Sequence, residues 1–143
     1  MKIVDANVLL YAVNRDASHH DVARSWLDDA LSGREAVAFA WVVLLAFLRL
    51  GTSSRVFPKP LPVEGATAVV EFWLDQPASV IVHPTNRHLS LLRGLLHTAG
   101  TAANLVSDAH LAVLALEHGA EVVSFDRDFQ RFDGVRLLVP AMP

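Results

Sequence analysis

Apolar residues along this chain switch between two spacings. Short blocks such as Ile3-Val4, Ala36-Val37-Ala38-Phe39-Ala40 and Val122-Val123 are uninterrupted, as expected of strands buried on both faces. Between them the apolar positions recur at helical spacing. Ala66, Val69, Val70, Trp73 and Leu74 fall at i, i+3, i+4, i+7 and i+8, which predicts an amphipathic helix. Val22, Trp26, Leu27, Ala30 and Leu31 do the same after Ser18, a residue suited to an N-cap, and Gly33 is expected to end that helix. Trp41–Leu50 is apolar nearly all round, so a heavily buried helix is expected there.

The remaining elements follow from punctuation. The pattern predicts a strand over Met1–Asp5 with a helix starting almost at once at Asn7. Pro58, Pro60 and Pro62 predict a stiff connection, with Pro62 placed to start the next helix. Further strands are expected at Ser79–Val82, Glu121–Phe125 and Arg136–Val139. Helices are expected at Asn86–His97 before Gly100, and at Asp108–His118 before Gly119. Strands separated by helices imply an α/β fold, with a parallel sheet and helices on both faces. Functional groups then belong beyond the carboxyl ends of the strands.

Composition narrows the class. The 143 residues suit one domain, 1–143, and 52% hydrophobic content is ample for a core. The longest apolar run, Ala36 to Leu48, is well short of the roughly 20 residues that span a bilayer. Asp5 breaks the N-terminal apolar stretch, so no signal-peptide pattern is read and a cytoplasmic location is expected. With no cysteine, disulfides and thiolate metal sites are excluded. A net charge of −3 does not fit a protein held to nucleic acid by a broad basic face. It is compatible with an acidic centre inside a local basic rim.

Four aspartates carry the candidate chemistry. Asp5 and Asp126 each sit where a buried strand ends, Asp108 sits in the first turn of a helix, and Asp128 follows Asp126 closely. Each alone has a plain structural reading. Asp5-Ala6-Asn7 can cap the following helix, Asp108 can favour the helix dipole, and Asp126 and Asp128 can form a turn. Brought together, these carboxylates repel one another unless a cation compensates them. Hard oxygen donors suit Mg²⁺ or Mn²⁺, and such an ion supports phosphodiester hydrolysis. The histidines contain no His-x-x-x-His pair, which argues against zinc at His19, His20, His83 or His88. His110 should point to a different helix face from Asp108. Trp26, Trp41 and Trp73 read as core or partner contacts rather than stacking platforms.

Three segments, Ile3-Val4-Asp5-Ala6-Asn7-Val8-Leu9-Leu10, Ser107-Asp108-Ala109-His110-Leu111-Ala112 and Ser124-Phe125-Asp126-Arg127-Asp128-Phe129-Gln130-Arg131-Phe132, resemble the PIN-domain proteins, specifically the VapC-type toxins of toxin–antitoxin pairs. The resemblance covers essentially the whole chain. It implies a three-layer α/β/α fold whose five-stranded parallel sheet has the order 3-2-1-4-5. It also implies a Mg²⁺-dependent endoribonuclease acting on tRNA or rRNA, a VapB-type antitoxin partner and a homodimer. Residue by residue, Asp5, Asp108 and Asp126 match the metal-binding acids and Asp128 a further acid. Asn7 and Ser124 match polar residues that hold Asp5 and Asp126 in place. Arg49 and Arg127 are candidate RNA contacts, beside Arg55, Lys59 and Arg131.

One position departs from the family. A Glu is usual three residues before an Arg on the helix after the second strand, and here Ala46 precedes Arg49. That puts a second metal ion in doubt, and Asp128 is expected to compensate in part. Two other readings stay open. One is a catalytically weakened PIN module that acts by binding a partner, for which Ala46 is the best support. The other is a phosphoryl-accepting receiver or phosphatase-like domain. That one needs a lysine near the acids, and the chain offers only Lys2 and Lys59.

Overall fold

The computed structural model describes residues 1–100 and 103–142. Five strands form one parallel sheet: β1 (Lys2–Val4), β2 (Val37–Phe39), β3 (Ser79–Ile81), β4 (Glu121–Val123) and β5 (Leu137–Leu138). Their order is β3-β2-β1-β4-β5, with β1 at the centre, as the family resemblance implied. Six helices connect them: α1 (Ala6–Val13), α2 (His20–Leu31), α3 (Trp41–Gly51), α4 (Val63–Leu74), α5 (His88–Ala99) and α6 (Val106–His118).

The three central strands are the uninterrupted apolar blocks. Ile3, Val4, Val37, Ala38, Phe39, Val122 and Val123 are all buried, because helices cover both faces of the sheet. The register pairs Ile3 with Val122 and Ala38, and Val4 with Val123. Chain order reverses at β1, since β2 lies on one side of it and β4 on the other. That is where such sheets open a crevice at their carboxyl ends.

The strands are shorter than their hydrophobic signals, and the trimmed residues go to the crevice. The Asp5 amide still donates to the Val123 carbonyl at 2.9 Å, and the Ser124 amide to the Leu138 carbonyl at 3.1 Å. Beyond those bonds both chains leave the sheet. Ala40 likewise becomes the N-cap of α3, its carbonyl accepting from the Val43 and Leu44 amides.

Helix ends agree in part with the sequence. Gly100 and Gly119 take left-handed conformations at φ 77° and 65° and close α5 and α6. Two expectations need correction. Ser18 does not cap α2: the N-cap is His19, without a side-chain bond, and the helix begins at His20. The turn before it is built otherwise, with Asn14 Oδ1 accepting from the Asp16 amide and His20 Nδ1 meeting the Tyr11 carbonyl at 2.8 Å. α3 is not buried all round either. Val43, Leu44 and Phe47 are buried, but Trp41 and Leu45 are 46% and 58% exposed. Periodicity cannot separate a core-facing side from an apolar side that lines a cleft, and the cleft explains Leu45.

Candidate metal centre

Asp5 leaves β1 in an extended conformation and caps α1. Its Oδ1 accepts from the Ala6 amide at 2.7 Å. The capping reading and the site reading of this residue are therefore compatible, because only one carboxylate oxygen is spent on the helix. The other, Oδ2, accepts from Ser124 Oγ at 2.7 Å and from Asn7 Nδ2 at 3.3 Å.

Ser124 is the hub. It is fully buried and the sole buried polar residue among those described. Its hydroxyl donates to Asp5 and accepts from Asn7 Nδ2 at 3.0 Å and from the Asp126 amide at 2.9 Å. One donor and two acceptor positions are thus all used. Asn7 completes the frame, since its Oδ1 accepts from the Phe125 amide at 3.2 Å. The ends of β1 and β4 are locked together by side chains where the backbone ladder stops. Asp126 in turn holds the next turn: its Oδ1 accepts from the Asp128 amide at 2.9 Å, opening a short 3-10 helix over Arg127–Arg131.

Substituting Ser124→Ala removes all three bonds and leaves buried partners unsatisfied. We expect a loss of about 1–3 kcal/mol, read by urea denaturation. The Asp5 pKa should rise further, since the Ser124 bond is what lowers it against the effect of burial. A ¹³C carboxyl titration checks this, and an unchanged Asp5 titration would mean the bond is absent in solution.

Asp108 enters from the first turn of α6. With Asp5 it lines a cleft of about 400 Å³ that also carries Ala46, Arg49 and Ser107. Burial raises its pKa to about 6, and the negative charges of Asp5, Asp126 and Asp128 push the same way. Asp5 is also raised, first by burial and further by Asp126. The four acids thus share one negative field, and among the described residues the one ion pair made to any of them is the long, exposed contact of Arg131 with Asp128.

Among the described residues, no three carboxylate or imidazole groups close tightly enough to enclose an ion by themselves. The donor set nonetheless fits Mg²⁺, which keeps several of its waters and needs only a few hard oxygen ligands. Asp108 is raised first by burial and then by the neighbouring acids, and a bound cation would offset the second effect.

The other expected residues are spread around this centre. Asp128 is exposed on the turn, with Arg131 Nε 3.9 Å from its Oδ1. Arg127 is exposed between Asp126 and Asp128, and Arg49 is exposed at the cleft. Ala46 lines the same cleft as Asp5 and Asp108, so a carboxylate is indeed missing from that wall. Lys2 is held by Glu121 at 2.7 Å, at the amino end of β1, and Lys59 lines a different cleft with Asn14 and Asp16. Neither lysine serves the acids, which removes the basis of the receiver-like reading.

Two arrangements escaped the sequence. Glu117, half-buried as a residue but with its side chain only 2% exposed, accepts from the Thr85 amide and meets His88 Nδ1 at 2.8 Å, and His88 Nε2 meets His110 Nδ1 at 2.8 Å. This chain staples α5 to α6, away from the acids. Tyr11, His19 and Phe125 form the second, a cluster of three rings beside the centre. No local motif announces either one. Only the packing of distant segments brings their members together.

The chain is similar to known proteins along nearly its whole length. The PIN domain model matches residues 2–135. Ribonuclease VapC37 of Mycobacterium tuberculosis is 59% identical over 136 residues, spanning 95% of this chain and 94% of the relative. Ribonuclease VapC31 of the same species is 41% identical over 142 residues, 99% of this chain and 100% of the relative. Among solved structures, VapBC2 from Rickettsia felis bound to a promoter DNA fragment aligns with a TM-score of 0.70 at 20% identity, covering 96% of both chains. Mycobacterium tuberculosis VapC20, described as a sarcin-ricin loop cleaving toxin, aligns at 0.69 with 19% identity, covering 95% of this chain and 99% of that one.

Proposed function

The chain belongs to the PIN-domain family, and from that membership we propose that it is a metal-dependent endoribonuclease, the toxin of a VapBC-type toxin–antitoxin pair. The observation that carries the proposal is the Ser124 hub, which fixes Asp5 and Asp126 at one point of a buried sheet, next to Asp108. A pure binding scaffold has no need for carboxylates held together in a shared negative field.

Asp5, Asp108 and Asp126 would hold Mg²⁺, or Mn²⁺ in its place. A bound ion of this kind polarises a phosphoryl oxygen and acidifies a water. The chain's own residues do the positioning. Ser124 and Asn7 orient Asp5, the Asp126 carboxylate orients the turn that carries Asp128, and Arg127 and Arg49 stand on the rim, where phosphates would pass. The proposed substrate is structured RNA such as tRNA or rRNA.

The proposal includes a VapB-type antitoxin, which would cover the cleft and the exposed Trp41 and Leu45 beside it. It also includes a homodimer and a cytoplasmic setting. Among the described residues, no helix is long and apolar enough to cross a membrane.

The test is incubation of the purified protein with total bacterial RNA. Discrete fragments should appear with Mg²⁺, vanish with EDTA and return with Mn²⁺. Cleavage indifferent to EDTA would overturn the metal-dependent reading. Ala46 in the cleft favours one second reading, a weakened module that acts mainly by partner binding. It would bind the antitoxin and leave RNA intact under every metal condition.

The raised Asp108 pKa sets a pH dependence. A carboxyl that titrates near 6 must lose its proton to bind a cation, so binding weakens as pH falls through 6. Calorimetry at pH 7 and pH 5 should show Mg²⁺ affinity about tenfold weaker at pH 5. Asp108→Asn should be weaker at both pH values and should lose most of this dependence.

A further inference from the structure

His19 is exposed at the start of α2, yet its ring is not free. It lies on Phe125, with centroids 4.5 Å apart and planes 17° from parallel. Tyr11 packs obliquely against both, at 5.6 Å from His19 and 5.4 Å from Phe125. The imidazole makes no hydrogen bond or ion pair among the described residues, so its contacts there are the rings of Phe125 and Tyr11. Phe125 stacks on one ring face, and the residue as a whole is exposed to solvent.

This stack abuts the metal centre. Phe125 lies between Ser124 and Asp126 in the chain, and its amide is held by Asn7, which also holds Asp5. The Phe125 backbone is therefore tied to the same frame as the acids. Tyr11 fixes it from α1, the helix that Asp5 caps. Three rings from three parts of the chain thus build a rigid ledge one residue from Asp126.

We propose that His19, stacked on Phe125, is a platform for an unpaired base of the RNA next to the scissile phosphate. The proposal rests on the ribonuclease reading above and names what that site takes: single-stranded or splayed-out nucleotides rather than a continuous duplex. Paired bases already have both faces covered, whereas an unpaired base gains a face by stacking on an aromatic ring. A flat, anchored ring on an exposed residue offers that and little else. The rim arginines contact phosphates and read no base. The platform would add an orientation for the nucleotide beside the cut. His19 acts here as a positioning residue, since it touches the substrate base and not the reacting phosphate.

The experiment uses a 12-nucleotide single-stranded RNA spanning a mapped cleavage site, with the full-length protein, its His19→Ala and His19→Phe variants, and Asp5→Asn as a control. His19→Ala should raise KM about tenfold with kcat nearly unchanged, and His19→Phe, which keeps a ring, should restore KM. Because His19 is exposed, both His19 variants should melt near the wild-type temperature. An abasic nucleotide is then walked along the RNA. At one position next to the cut, the wild type should lose as much as His19→Ala does, and the two losses should not add.

An unchanged KM in His19→Ala, in an enzyme whose cleavage still needs Asp5, would overturn the platform and leave the ribonuclease reading standing. So would losses that add at every abasic position. If the wild-type protein neither cleaves nor binds RNA, the ribonuclease reading falls and the platform falls with it.

Discussion

Asp5→Asn should reduce RNA cleavage by more than about a hundredfold while changing stability by no more than about 1 kcal/mol, because two effects on the fold oppose each other. Groups that merely orient metal ligands typically contribute 10–100-fold, and a residue proposed to touch the ion directly should exceed that. The stability half of the expectation comes from the same carboxylate. Burial raises the Asp5 pKa, so the charged form is disfavoured in the fold at neutral pH. Asn removes the charge and can still accept from the Ala6 amide, but its Nδ2 cannot accept the bonds that Ser124 Oγ and Asn7 Nδ2 give to Asp5 Oδ2, and their loss offsets the gain. A time course of RNA cleavage and a thermal melt read the two effects separately. A rate within tenfold of wild type would remove Asp5 from the site.

Phe129→Ala should destabilise the fold by about 3–5 kcal/mol, a large part of the 5–15 kcal/mol that holds a domain together. Phe129 is fully buried, and its ring meets Phe132 edge-on at 6.2 Å. It sits in the short 3-10 helix that begins at Arg127, so it anchors the turn bearing Asp126 and Asp128 to the core. Urea denaturation measures the loss. Phe129→Leu, which refills most of the space, should recover much of it. A cost below about 1 kcal/mol would mean that this turn is not held from beneath.

The order of strands and helices was legible because each element carries its own period and its own stop. Gly100 and Gly119 end helices as read, and the apolar blocks around Ile3, Val37 and Val122 are the inner strands. Placing β1 at the centre needed the family resemblance, since periodicity does not order strands. Two local readings failed for physical reasons. Ser18 has the chemistry of a cap, but the turn from Asn14 to His20 satisfies its backbone through Asn14 and Tyr11 instead. Trp41 and Leu45 look like core because an apolar wall beside a cleft has the same composition as one facing a sheet.

The site was legible as types of residue and not as a geometry. Strand-end acids suggested a cluster, and the resemblance supplied Ser124 and Asn7 as supports. Nothing in the sequence says that one serine hydroxyl fills all three of its hydrogen-bonding positions between Asp5, Asn7 and Asp126. The Glu117–His88–His110 chain and the His19–Phe125 stack depend wholly on tertiary packing. Ala46 is the reverse case: the departure was visible in sequence, and the cleft it lines shows which wall lacks a carboxylate.

Asp5, Asp108 and Asp126 are proposed to hold one divalent ion between them. Substoichiometric Mn²⁺ added to ¹⁵N-labelled protein tests it most directly, because the ion broadens amide signals near wherever it binds. The account predicts that the amides of Ala6, Asp108 and Asp126 broaden first and together, that excess Mg²⁺ reverses the effect, and that Asp5→Asn abolishes it. Broadening centred elsewhere, such as on Glu117 and His88, or broadening that persists in Asp5→Asn, would contradict it.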